Sequence, residues 1–121
     1  MKSPSLGRIA VLVPAAGRGE RLGPGMPKAL RPLGGIPMLV HAVRALAASR
    51  IVDIVVVAAP EDSAEMVAAM LAEQSFQAEV VVVTGGDTRQ DSVARALLTL
   101  PDDVDVVLVH DAARPLVPVE V

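Results

Sequence analysis

The chain contains no cysteine, no tryptophan and no tyrosine, and Phe76 is its one aromatic residue. Without cysteine there are no disulfides and no thiolate metal sites, and the compartment is left to the cytoplasmic default. With almost no aromatic rings, the core has to be assembled from valine, leucine, alanine and isoleucine. No apolar run approaches the ~18 residues of a membrane span, and the start "MKSPSLGR" lacks the apolar centre of a signal peptide. Lysine occurs twice and the net charge is −3, which disfavours nucleic-acid binding driven by bulk charge. Any cationic site must therefore be local.

What is present is apolar and orderly. Hydrophobic residues make up 52% of 121 residues, enough for one domain with a real core. "IAVLVP" at Ile9–Pro14 reads as a buried strand ended by proline. Met38–Ala48 has helical spacing, and Pro37 suits a first helical turn. Ile51–Ala59 is a second strand. Asp62 and Glu65, three apart, suggest an approximate capping box for a helix at Ser63–Glu73. Glu79–Val83 is a third strand, a helix follows at about Arg89–Leu100, and Asp105–His110 is a fourth strand. The alternation predicts an α/β fold: a Rossmann-like, mostly parallel sheet with helices on both faces. The chain closes with "VPVEV", where Pro118 would open another helix. The expectation is thus a fragment of a longer protein, or a chain whose remainder is not seen; the family resemblance given below makes it the N-terminal portion.

In open α/β sheets, ligands bind outside the carboxyl ends of the strands. Three informative turns fall there: residues 14–28, 84–92 and 111–115. In the first, "VPAAGRGERLGPGMPKAL", Gly17 and Gly19 let backbone N–H groups approach phosphate oxygens. Arg21 offers a planar fork, Lys28 a compact charge, and Arg18 and Arg31 add to them. The other reading is an ordinary glycine- and proline-rich turn, but such turns seldom need four cations. A dinucleotide fingerprint fails at Leu22, with glycine one place late at Gly23, and residues 34–44 carry no acid for a ribose. The Walker A pattern fails because Lys28 follows Pro27 and precedes Ala29.

The second turn holds Gly85, Gly86, Asp87 and Ser92. Structurally it is a tight turn with Asp87 or Thr88 as helix N-cap. Functionally, Gly86 would let a planar base lie against the backbone, with Asp87 and Ser92 at its edge. The third turn opens with Asp111. A carboxylate there is either a solvated side chain, a helix cap or a Mg²⁺ ligand facing phosphates. His110 beside it and His41 in a helix read as packed or hydrogen-bonded residues rather than ligands.

Together, "VPAAGRGERLGPGMPKAL", "GGDTRQDSV" and "VLVHDAARP" resemble the signatures of the 2-C-methyl-D-erythritol 4-phosphate cytidylyltransferase family, from about residue 9 to the end. The first element occurs widely in sugar nucleotidyltransferases, and its pairing with the other two is far more selective. The resemblance implies transfer of a cytidylyl group from CTP to methylerythritol phosphate, with release of pyrophosphate, in isoprenoid precursor synthesis. It assigns catalytic charge stabilisation to Arg21 and Lys28, and nucleotide binding also to Pro14, Ala15, Ala16, Gly17 and Gly19. Gly86, Asp87 and Ser92 would select cytosine, Ala112 would lie near the ribose, and Asp111 would hold Mg²⁺. Arg114 is a candidate for the sugar-phosphate side. The family further implies a cytoplasmic homodimer whose arm and sugar-phosphate residues lie beyond this chain, so these residues alone are not expected to turn over. Another sugar-phosphate nucleotidyltransferase and a non-catalytic nucleotide-binding module stay open as alternatives.

Overall fold

The structure, a computed structural model, describes residues 7–15, 21–22, 26–27, 32–33 and 36–110. Four strands form the central sheet: β1 (Arg8–Pro14), β6 (Ile54–Ala59), β7 (Glu79–Thr84) and β8 (Val104–Val109). Between β1 and β6 lie four two-residue strands, β2 (Arg21–Leu22), β3 (Met26–Pro27), β4 (Pro32–Leu33) and β5 (Ile36–Pro37). They pair antiparallel as β2 with β3 and β4 with β5. The helices are α1 (Met38–Ala47), α2 (Ala64–Ala72) and α3 (Arg89–Leu97).

The main sheet has the order β7-β6-β1-β8, and every pairing in it is parallel. The chain winds outward from β1 to β6 and β7, then crosses back to set β8 against the other side of β1. That reversal puts a topological switch point between β1 and β8, the place where open α/β sheets bind their ligands at the strands' carboxyl ends.

Side chains alternate across each strand, so one apolar run feeds two cores. Val11, Val13, Val55, Val57 and Ala59 face Leu39, Val40 and Val43 of α1 and Val67 and Leu71 of α2. Ala10, Leu12, Ile54 and Val56 face Ala96 of α3, with Val93 packed alongside. The two-sided cover expected from the alternation of elements is present. β6 is buried at every position, which explains why it reads as a continuous apolar stretch. Each fully buried valine or leucine contributes roughly 1.5–3 kcal/mol relative to exposure. β8 differs: Val106, Val107, Leu108 and Val109 are 39–48% exposed, an apolar edge strand on both faces.

Several element ends depart from the sequence reading. The second strand starts at Ile54 rather than Ile51, because residues 49–52 close a turn through Val52 N–H to Ser49 O at 3.3 Å, and Ile51 is exposed. α3 stops at Leu97, where Thr99 and Leu100 N–H switch to shorter-range carbonyls of Ala96 and Leu97. The capping box at Asp62 and Glu65 does not form: Ser63 is the N-cap of α2 with no side-chain capping bond, and its hydroxyl donates to Asp62 Oδ1 at 3.2 Å. Pro37 is the N-cap of α1 rather than a residue of its first turn; its ψ of 143° is extended.

Candidate functional site

The sheet carries three strands to a common rim. The first residue beyond each is still bonded to its neighbour. Ala15 N–H donates to Ala58 O at 2.8 Å, Gly85 N–H to Ala59 O at 2.7 Å, and His110 N–H to Leu12 O at 2.9 Å. Ala15, Gly85 and His110 are thus level at the carboxyl end, and the third turn, residues 111–115, lies outside the described residues. β7 lies two strands from β1, so Gly85 and Ala15 are roughly 10 Å apart across the sheet.

The best-defined part of the rim is the turn after β7. Gly86 N–H donates to Ser92 Oγ at 3.1 Å. Ser92 is a fully buried polar residue, 0% exposed, and its hydroxyl serves the turn from beneath. Thr88, rather than Asp87, is the N-cap of α3: its side chain accepts Asp91 N–H at 3.1 Å. Asp87 is therefore left exposed at the turn with no capping duty. Gly86 is required by space. A Cβ built there would collide with Asp91 Cβ, which the helix backbone fixes in place.

Arg95 was not foreseen. Its Nη1 donates to Gly85 O at 3.3 Å, reaching back from the last turn of α3 to the same loop. The signal was its spacing, three residues after Ser92 on one helix face. The target is a backbone carbonyl, which no side-chain motif announces.

In the first turn, Pro14 and Ala15 are buried at the end of β1. Backbone pairing sets Arg21 opposite Pro27 in the β2–β3 hairpin, one residue before Lys28 in sequence. Ala16, Gly17, Gly19, Lys28, Asp111, Ala112 and Arg114 lie outside the described residues. His110 is half-buried, and its Nε2 is shielded from solvent with no hydrogen-bond partner. Among the described residues no group of three or more His, Cys, Asp or Glu could hold a metal. Two cations away from the rim are committed elsewhere. Arg8 meets Glu79 at 3.2 Å and Asp103 at 3.9 Å, and Arg44 donates twice to Gln74 Oε1.

A parallel, doubly wound sheet with a glycine turn gripped at its carboxyl rim defines a Rossmann-like α/β protein. Comparison with known proteins narrows the class. The chain belongs to the 2-C-methyl-D-erythritol 4-phosphate cytidylyltransferase family, which it matches over residues 9–121. It is 58% identical over 120 residues to the enzyme of that name from Streptomyces avermitilis, covering 98% of this chain and 48% of the relative. It is 60% identical over 115 residues to the one from Streptomyces coelicolor, covering 93% and 43%. Among solved structures it resembles the Francisella tularensis cytidylyltransferase of the same name, with a TM-score of 0.66 and 29% identity over 93% of this chain and 48% of that one. A crystal structure of 4-diphosphocytidyl-2C-methyl-D-erythritol synthase gives a TM-score of 0.68 at 31% identity, covering 94% and 50%. The chain spans about half the length of the relatives it matches. No described helix is long and apolar enough to cross a membrane.

Proposed function

We propose that the whole protein transfers a cytidylyl group from CTP to methylerythritol phosphate, releasing pyrophosphate. The observation that carries this reading is family membership together with a preformed glycine turn at the rim the fold reserves for ligands. In this reading residues 1–121 are the nucleotide-binding portion of one transferase domain in a cytoplasmic homodimer. The apolar edge strand β8 supports further protein packing against it.

The chemistry asks little covalent work of the protein. A phosphate oxygen of methylerythritol phosphate attacks the α-phosphorus of CTP, a new P–O bond forms, and the bond to the β-phosphate oxygen breaks. Positioning and charge stabilisation supply the rate. Pro14, Ala15, Ala16, Gly17 and Gly19 line the triphosphate path with backbone. Arg21 and Lys28 take up charge on the α-phosphate and the departing pyrophosphate. Gly86 and Asp87 meet the cytosine edge, Ser92 sets the Gly86 amide from below, and Ala112 borders the ribose. Asp111, the first residue after His110, would hold magnesium, which when bound screens the triphosphate charge.

The test is pyrophosphate release in a coupled assay on the whole protein with CTP and methylerythritol phosphate. Release with UTP and a hexose phosphate instead would replace this reading by another sugar-phosphate nucleotidyltransferase. CTP binding without release would make it a binding module. Asp111→Asn is expected to raise the magnesium concentration for half-maximal activity by about tenfold or more, since even outer-shell partners are worth that in metal affinity. An unchanged magnesium titration removes Asp111 as the ligand.

A further inference from the structure

The peptide unit joining Gly85 to Gly86 is held at both of its polar ends by one helix face. Its carbonyl oxygen accepts Arg95 Nη1 at 3.3 Å, and its N–H donates to Ser92 Oγ at 3.1 Å. Ser92 and Arg95 are three residues apart on α3, so both side chains reach one spot. One peptide earlier, Gly85 N–H is tied to Ala59 O of β6. A trans peptide is rigid, and only the φ and ψ on either side can turn it. Holding oxygen and hydrogen together therefore fixes which edge of the plane faces the ligand side. Glycine on both sides makes the clamp necessary, because Gly85 and Gly86 impose little torsional preference of their own.

We infer that Arg95 is a positioning residue for nucleobase selection, an inference that rests on the cytidylyl-transfer reading. Cytosine and uracil carry opposite donor and acceptor patterns on the same edge: an exocyclic amino donor in one, a carbonyl acceptor in the other. A peptide free to tilt presents either an N–H or a C=O, and so accommodates both. In the clamped peptide the N–H is taken by Ser92, and the lone pair that Arg95 leaves on the Gly85 carbonyl is an acceptor that matches the amino group of cytosine and not the carbonyl of uracil. Ser92 alone holds the hydrogen end and leaves the oxygen end to swing. Arg95 holds that end with a charge-assisted bond, stronger than a neutral one of the same geometry. Arg95 is itself exposed and does not need to touch the nucleotide.

The experiment compares Arg95→Leu and Arg95→Lys with the parent in the whole protein. Steady-state kinetics are measured with CTP and with UTP, and hydrogen exchange at the Gly86 amide is followed without ligand. Arg95→Leu is expected to raise KM for CTP about fivefold, in line with one partly solvated charge-assisted bond, while kcat stays within about twofold. The preference for CTP over UTP is expected to fall by a similar factor, and Gly86 to exchange faster. Arg95→Lys, which keeps a cationic donor, recovers most of both. Unchanged selectivity and unchanged Gly86 exchange overturn the inference. So does a loss of kcat and thermal stability that lysine fails to restore, since that is the mark of a purely structural residue. Failure of the parent to release pyrophosphate counts against the functional reading, while Gly86 exchange in the variants still decides the clamp.

Discussion

Lys28→Ala is expected to lower kcat about 100- to 1,000-fold while CTP binding weakens by no more than about threefold. That is the range seen when one preorganised group stabilising transition-state charge is removed. The asymmetry follows from where the charge develops. CTP already carries its negative charge in the ground state, and in the proposed site Arg21 and the backbone of the first turn would share in holding it. During transfer, charge builds on the bond to the departing pyrophosphate, and a point charge placed there acts more strongly on the transition state than on bound CTP. The check is a direct CTP titration beside steady-state kinetics. Equal losses in affinity and turnover would make Lys28 a binding residue only.

Gly86→Ala should be nearly as damaging for a different reason. The added methyl would meet Asp91 Cβ, an atom fixed by the α3 backbone rather than the end of a flexible side chain. The turn has to move away from the helix, and the Gly86 N–H to Ser92 Oγ bond goes with it. Displacement of a positioning group by about 1 Å costs about 100-fold in rate, and a loss of that order in kcat/KM for CTP is the expected result. Gly7→Ala is the control. A Cβ at Gly7 would collide with Asp105 at the opposite end of the sheet, so it should lower Tm without changing KM for CTP. If both substitutions lower Tm and neither changes KM, the β7 turn has no part in nucleotide binding.

The four main strands were legible because valine-rich runs bounded by proline, glycine and acids have few other solutions. Their ends were less so. Ile51 continues the apolar run of β6 in sequence, yet a local turn claims it. The β2–β5 hairpins were invisible because two residues carry no periodicity, and Pro27, Pro32 and Pro37 argue against strands by their missing N–H. At the site, glycine turns and charges at strand ends mark the rim, and the structure sets Ala15, Gly85 and His110 level there. What no motif reveals is how the backbone of the second turn is itself held. The sequence sets Ser92 beside the base, and the structure adds that its buried hydroxyl accepts the Gly86 N–H. Arg95 was not read at all, because its partner is a carbonyl.

On the proposed function, CTP would lie across the carboxyl rim from β1 to β7. The most direct measurement is an amide chemical-shift titration of the whole protein with CTP and magnesium. Ala15, Gly85, Gly86 and Asp87 should shift together with one saturation curve, while Gly7, Asp53 and Asp105 at the amino ends stay still. Shifts confined to the amino ends, or separate curves for Ala15 and Gly86, would contradict it.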